Sequence, residues 1–370
     1  MECTHAYNPD YAVPPGQTLQ ELLNDRGMTQ IELANRTGLS RKTINEIIKG
    51  KSPLTPETAQ QLELVLQASA QFWNERERLY RQRIALKEHE KKLETHLGWE
   101  KNFPYAELTR RKLVPAASTA LRKIWNLCHF FGISQPELID GGFTDITIPE
   151  TLFRRQPAVR PKPYLAWTWL RAAEIAAQPL QLSAFSLERL QECVHRIPNR
   201  TVAISDAPSL KAFIAETQAV LNAAGVALVL VPEFAGAAIN GAAFWRGEKA
   251  VIALTLRGKR LDGLVFTLLH EAAHILYHGK KCAVIDAAGP EHGCGDQSER
   301  EREADRFAAQ LCIPPSFDSR IAAVRTLGEI DQISQEIGVH PDLVIGRCAK
   351  LTGDYARFSA HRMRLSWDAA

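Results

Sequence analysis

The first 92 residues repeat one pattern, with apolar positions at helical spacing separated by turn residues. In "TLQELLNDRG" (18–27), Leu19, Leu22 and Leu23 form one stripe that stops at Gly27. Thr29 then caps a short helix carrying Ile31, Leu33 and Ala34, and Gly38 supplies a tight turn. Ser40 caps the next helix, whose inward face is Thr43, Ile44 and Ile47 and which closes at Gly50. Thr55-Pro56 opens another, with Leu62, Val65 and Leu66 inward. From Ser69 to about Lys92 the run "ERERLYRQRIALKEHEKK" predicts a solvated helix. In the middle, "ALRKIWNLCHFFGI" is amphipathic, with Trp125, Phe130 and Phe131 expected in a core, and "RRQPAVRPKPY" (154–164) reads as an extended connector. The period changes further on. "LKAFIAETQAVLNAAG" predicts a helix, "VALVLVP" and "AVIALT" predict strands, and "SEREREADRFAAQLCIP" predicts a helix stopping at Pro314. Helical patterning fills the rest, with no internal repeat.

This order predicts a mainly helical protein with an α+β part. Its divisions are a tail (1–15), a helical domain (16–92), a helical middle without motifs that reads as a spacer or dimerisation element (93–180), a small domain with a short sheet (181–320) and a helical C-terminal region (321–370). A length of 370 residues suits two or three such domains. The net charge of +3 is too mild to indicate a polyanion binder by itself. The seven cysteines are scattered with no C-x-x-C pair, which argues against a disulfide framework and fits a reducing, cytoplasmic setting. No basic stretch followed by an apolar one opens the chain, so no signal peptide is expected. The most apolar segment, "GVALVLVPEFAGAAINGAAFW", is broken by Pro232, Glu233 and glycines and cannot span a membrane.

Two stretches carry chemistry. In the first, Gln30, Ala34, Gly38, Leu39, Ile44 and Ile47 fall where a helix-turn-helix needs a small residue at the crossing, a glycine at the turn and aliphatics to lock the second helix. That helix presents Ser40, Arg41, Lys42 and Asn45, which suit phosphates, guanine edges and adenine, with Lys49 and Lys51 near phosphates. A packing module with a charged surface would share much of this pattern. The region also resembles the Xre-type helix-turn-helix of HigA-like antitoxins, from about Pro15 to Tyr80. The resemblance implies repression at a palindromic double-stranded DNA operator, usually as a homodimer, and leaves room for a toxin partner.

The second stretch is "FTLLHEAAHILYHG" (266–279). On a helix His270 and His274 share a face and can grip one ion, while Glu271 lies beside it, as in H-E-x-x-H zinc hydrolases. A catalytic site needs a third protein ligand. "EREADRFAAQLCIP" offers Glu301, with Asp305 one turn on to orient a histidine, whereas Glu299 and Glu303 read as solvated competitors. His278 reads either as a cleft residue or as a helix-end cap. Cys282, His292 and Cys294 match no zinc spacing and read as loop residues.

From "GAAFWRGEKAVIALTLRGKRLDGLVFTLLHEAAHILYHG" through "EREADRFAAQLCIP", about Leu210 to Pro314, the chain resembles the ImmA/IrrE metallopeptidase-like domain. "ISQEIGVHPDLVIGRCAKLTG" extends the likeness loosely. The resemblance implies a small zincin-like fold, Zn2+ on His270, His274 and Glu301, and Glu271 as general base. It further implies proteolysis of a regulatory protein of repressor or antitoxin type. Asp305 replaces the family's usual asparagine and keeps an acceptor there. A substrate segment is expected to add to "KAVIALT" as an edge strand. Two readings stay open: a DNA-binding regulator that is also a zinc endopeptidase, or an antitoxin-like repressor whose zinc domain senses a ligand or binds a partner without catalysis.

Overall fold

A computed structural model describes residues 13–140, 163–279, 284–287 and 296–367. Contacts divide the chain into two compact units, Met1–Leu97 and Gly98–Ala370.

The first unit is helical. It comprises α1 (Pro15–Asp25), α2 (Gln30–Thr37), α3 (Arg41–Ile48), α4 (Pro56–Leu66) and α5 (Ala70–Glu94). Thr29, Ser40, Thr55 and Ser69 each accept a backbone N–H at a helix start, which satisfies donors the helix itself leaves unpaired. Leu19, Leu23, Leu33, Ile44, Ile47, Leu62, Leu66 and Trp73 fill the core. Ile31 is 51% exposed. The eight-residue α2 buries Leu33 and Ala34, and Ile31 lies off that stripe.

In the second unit the helices are α6 (Tyr105–Arg110), α7 (Ala120–Phe131), α8 (Glu137–Asp140), α9 (Pro163–Ala177), α10 (Leu187–Arg200) and α11 (Ala207–Ala223). Strands β1 (Val226–Leu230), β2 (Ile239–Arg246) and β3 (Lys249–Leu254) follow, then α12 (Leu261–Ala273), β4 (Val284–Ala287) and α13 (Asp296–Cys312). Helices α14 (Asp318–Ala323), α15 (Leu327–Ile337) and α16 (Pro341–Thr352) complete it. The sheet order is β1-β3-β2-β4, with β1 parallel to β3 and the other pairs antiparallel. Strand β3 is therefore internal. The expectation that "KAVIALT" is an edge open to substrate fails, because β1 and β2 use its backbone on both sides. The sequence carried a sign of this: Ala250 to Leu254 is an unbroken apolar run, and all five are buried, as in a strand covered on two faces. β4 falls at the start of what read as loop.

The middle region is more than a spacer. Leu228, Ala243, Ile252 and Leu254 share a core with Leu264, Val265 and Leu268 of α12. The alternate residues Ala227, Val229, Val251 and Ala253 are buried too, and α9 packs on β1 and β3. Trp169 of α9 donates its indole N–H to the Val231 carbonyl at 3.1 Å. Arg111 donates to the Pro232 and Glu233 carbonyls at 2.6 and 2.7 Å and stacks on Phe234. Phe130 and Phe131 are buried as expected, while Trp125 is only half-buried.

Helices α15 and α16 echo α2 and α3. A left-handed Gly338 (φ 80), then Val339, then the cap His340 parallel Gly38 (φ 75), Leu39 and Ser40. Here, however, the second helix buries Leu343, Val344, Ile345 and Cys348, and Arg347 is held by both Asp318 oxygens. It packs against α12 instead of presenting a recognition face.

Residues 362–365 clip the start of α12. Arg362 reaches Asp262 at 3.2 Å, Leu365 N–H donates to the Lys259 carbonyl, and Met363 N–H donates to Asp342 at 2.9 Å. Burial pushes the Asp342 carboxyl up to about 6 from 3.8, with the Asp262 charge adding to the rise. The native state thus holds this proton more tightly than the unfolded chain, so the group's stabilising contribution is present below the unfolded value and lost as pH rises through about 6. Asp342→Asn keeps the acceptor for Met363. It should melt at a higher temperature than wild type at pH 8, by up to about 3 kcal/mol of stability, with the gap closing towards pH 4. A gap independent of pH in thermal melts would refute this.

Candidate metal centre and nucleic-acid interface

The metal centre is built where α12 crosses α13. Helix α12 is apolar nearly all round, with Leu264, Val265, Leu268, Leu269, Ala272 and Ala273 buried, so its few polar side chains are carried inside with it. His270, Glu271 and His274 are respectively 3%, 0% and 1% exposed. From α13, Glu301 closes on the two histidines. The two Nε2 atoms stand 3.0 Å apart, with Glu301 Oε2 3.3 Å from that of His270 and Glu301 Oε1 3.6 Å from that of His274. Two ligands on one tetrahedral zinc, each bonded at about 2.1 Å, stand roughly 3.4 Å apart. The three groups therefore fit such an ion.

The donor set agrees. Burial, with the neighbouring His270 and His278 adding, pushes the His274 pKa down to about 2, so its imidazole stays neutral, the form that binds metal. Glu301 Oε1 is buried with no hydrogen bond among the described residues. Asp305 Oδ1 stands 2.9 Å from His270 Nδ1, the ring's other nitrogen. Of the competitors, Glu299 is exposed, while Glu303 comes within 3.9 Å of His278 Nε2. Cys282, His292 and Cys294 lie outside the described residues.

One residue at this centre escaped the sequence reading. A Cβ on Gly241 of β2 would stand 2.7 Å from Thr267 Cγ2 and 2.9 Å from Glu271 Oε1. The bare backbone lets the sheet press directly on Glu271. A glycine inside a strand was the available signal, since it marks close backbone approach. The β2–β4 register also slips between Ile239 and Gly241, a bulge beside the centre. Gly241→Ala should cost about 1–3 kcal/mol by overpacking and displace Glu271. Any peptide cleavage should then fall far more than zinc affinity, as rate assays and chelator competition on one preparation would reveal. Equal losses would refute the claim.

In the first unit, α2, the Gly38 turn and α3 form the expected pair. Arg41, Lys42 and Lys49 are exposed and Asn45 is half-buried. Lys42 lies 3.9 Å from Glu46 with its side chain 83% exposed. The Ser40 hydroxyl caps its own helix, accepting from Thr43 N–H at 3.0 Å. Gln30 donates to Gln20 at 3.0 Å, tying α2 to α1. No helix among the described residues is long and apolar enough to cross a membrane.

Known proteins resemble parts of the chain. The HTH-type transcriptional regulator YddM of Escherichia coli (strain K12) is 34% identical over 59 residues, 16% of this chain. The chain spans 63% of that relative's length. An addiction module antidote protein of a HigA family from Coxiella burnetii aligns over 23% of this chain and 92% of its own, at 27% identity and a TM-score of 0.21. Residues 19–73 match the helix-turn-helix family, and residues 227–344 match the IrrE N-terminal-like domain of the peptidase M78 family. The chain thus joins an Xre-type helix-turn-helix domain on its N-terminal side to an IrrE-like domain on its C-terminal side.

Proposed function

We propose that the protein is a DNA-binding transcriptional regulator carrying a zinc-dependent endopeptidase that cleaves a regulatory protein of repressor or antitoxin type. The supporting observation is the convergence of His270, His274 and Glu301 to within 3.0–3.6 Å, with the Glu271 carboxyl fully buried on the same helix. His270 and His274 Nε2 and a Glu301 oxygen would hold the zinc. When bound, zinc supplies Lewis-acid polarisation of a peptide carbonyl and makes water nucleophilic near neutral pH. Glu271 takes the proton from the attacking water and returns it to the departing amine. Asp305, with Oδ1 2.9 Å from His270 Nδ1, steadies that ring as a charged neighbour.

On the DNA side, Arg41 and Asn45 read base edges and Lys42 and Lys49 meet phosphates, in a homodimer on a twofold operator. The Ser40 hydroxyl, accepting at the cap, keeps its O–H for a phosphate. Arg41→Ala should lose about 1–3 kcal/mol on the operator selected from random duplexes, whereas Lys49→Ala should weaken all sequences alike and lower the salt slope by about one. Identical behaviour of the two variants in binding isotherms across salt would count against these roles.

The reading as a whole is tested by incubating zinc-loaded protein with any repressor-like or antitoxin-like protein encoded beside it and following fragments with and without EDTA. EDTA-sensitive fragments are expected. Intact partners that nonetheless bind the zinc-loaded protein would leave a sensing or partner-binding module in place of a peptidase.

A further inference from the structure

His278 has no part in the centre described above, yet the chain bends its helix to place it. Residues His274–His278 form a π-turn, a form seen mostly as single turns and often at functional sites. In an α-helix, residues four apart overshoot a full turn slightly, so a third imidazole would drift off the column begun by His270 and His274. The wider π-turn undershoots and cancels the drift. The His278 ring stands 5.3 Å from that of His274, and its side chain is only 7% exposed.

Its Nε2 is buried without a hydrogen bond among the described residues. Native proteins seldom leave such an atom unsatisfied without a reason. What Nε2 faces is the Glu303 carboxylate on α13, at 3.9 Å. Nitrogen and oxygen donors of this kind suit a zinc-like cation.

We propose that His278 Nε2 and the Glu303 carboxylate form a second divalent-cation site beside the first, with water completing the shell and filled only when metal is in excess. Two ligands on one ion stand roughly 3.4 Å apart, and the exposed Glu303 side chain closes the remaining gap by a small rotation. Having two protein ligands in place of three makes this site the weaker one. Repulsion from an ion already on His274 weakens it further. The site depends on geometry alone and holds whether or not the first centre is catalytic.

The test is a zinc titration of full-length, metal-free protein against a competing chromophoric chelator. Wild type should take up a tight equivalent and then a weaker one. His278→Asn and Glu303→Gln should each lose the weaker equivalent and keep the tight one, while His274→Asn should lose the tight one. Because Glu303 is exposed, its variant keeps the test valid if His278→Asn misfolds. Saturation of wild type at one equivalent, or a second equivalent surviving in both variants, overturns the proposal.

Discussion

Glu271→Gln protein is expected to fold, to take up zinc as wild type does, and to lose peptide cleavage by about 10²–10⁴-fold, the range attributed to a positioned general base. Glutamine has the shape of glutamate, so the close approach of Gly241 to this side chain is retained. What disappears is the ability to accept a proton. Metal content, melting temperature and rate should be measured on one preparation. A variant with normal zinc that cuts at the wild-type rate removes Glu271 from the chemistry. One that fails to bind zinc shows instead that the carboxylate helps to build the centre.

Gly16→Ala should have the largest effect on the first unit. A Cβ there would stand 2.1 Å from the Ile47 carbonyl oxygen and 2.3 Å from Ile48 Cα, both backbone atoms of α3. No rotamer change relieves such a clash, so α1 and α3 must separate. The cost lies at or beyond the upper end of the about 1–3 kcal/mol usual for overpacking. Because α3 carries Arg41, Lys42 and Asn45, operator binding should be lost with it. Calorimetry should show one unfolding transition lowered and another unmoved. An unchanged profile would mean that the two helices are not in backbone contact.

The helices of the first unit were legible because local signals agreed. Thr29, Ser40 and Thr55 announce their caps, Gly38 its turn, and the leucines their stripe. The H-E-x-x-H turn was legible for the same reason, being local. Glu301 was reachable because, among the acids of α13, it is followed one turn on by Asp305. Less visible were features that depend on distant partners. The internal position of β3 follows from pairing with β1 and β2, which its own residues do not name. The role of α9 follows from Trp169 and Val231, 62 positions apart. Gly241 looked like one glycine among several until α12 was laid across it. The likeness of α15–α16 to α2–α3 rests on a glycine turn and a cap, too few identities to register as a repeat.

The clip between Arg362 and Asp262 joins positions 100 apart. During synthesis, the start of the zinc-centre helix must therefore wait for about a hundred further residues before its anchor leaves the ribosome. The helix-turn-helix needs no such delay, since its core closes by Trp73. A growing chain thus completes the half proposed to find an operator well before the half proposed to cut. Were the second half a peptidase, its helix would gain this anchor only once nearly the whole chain had been made.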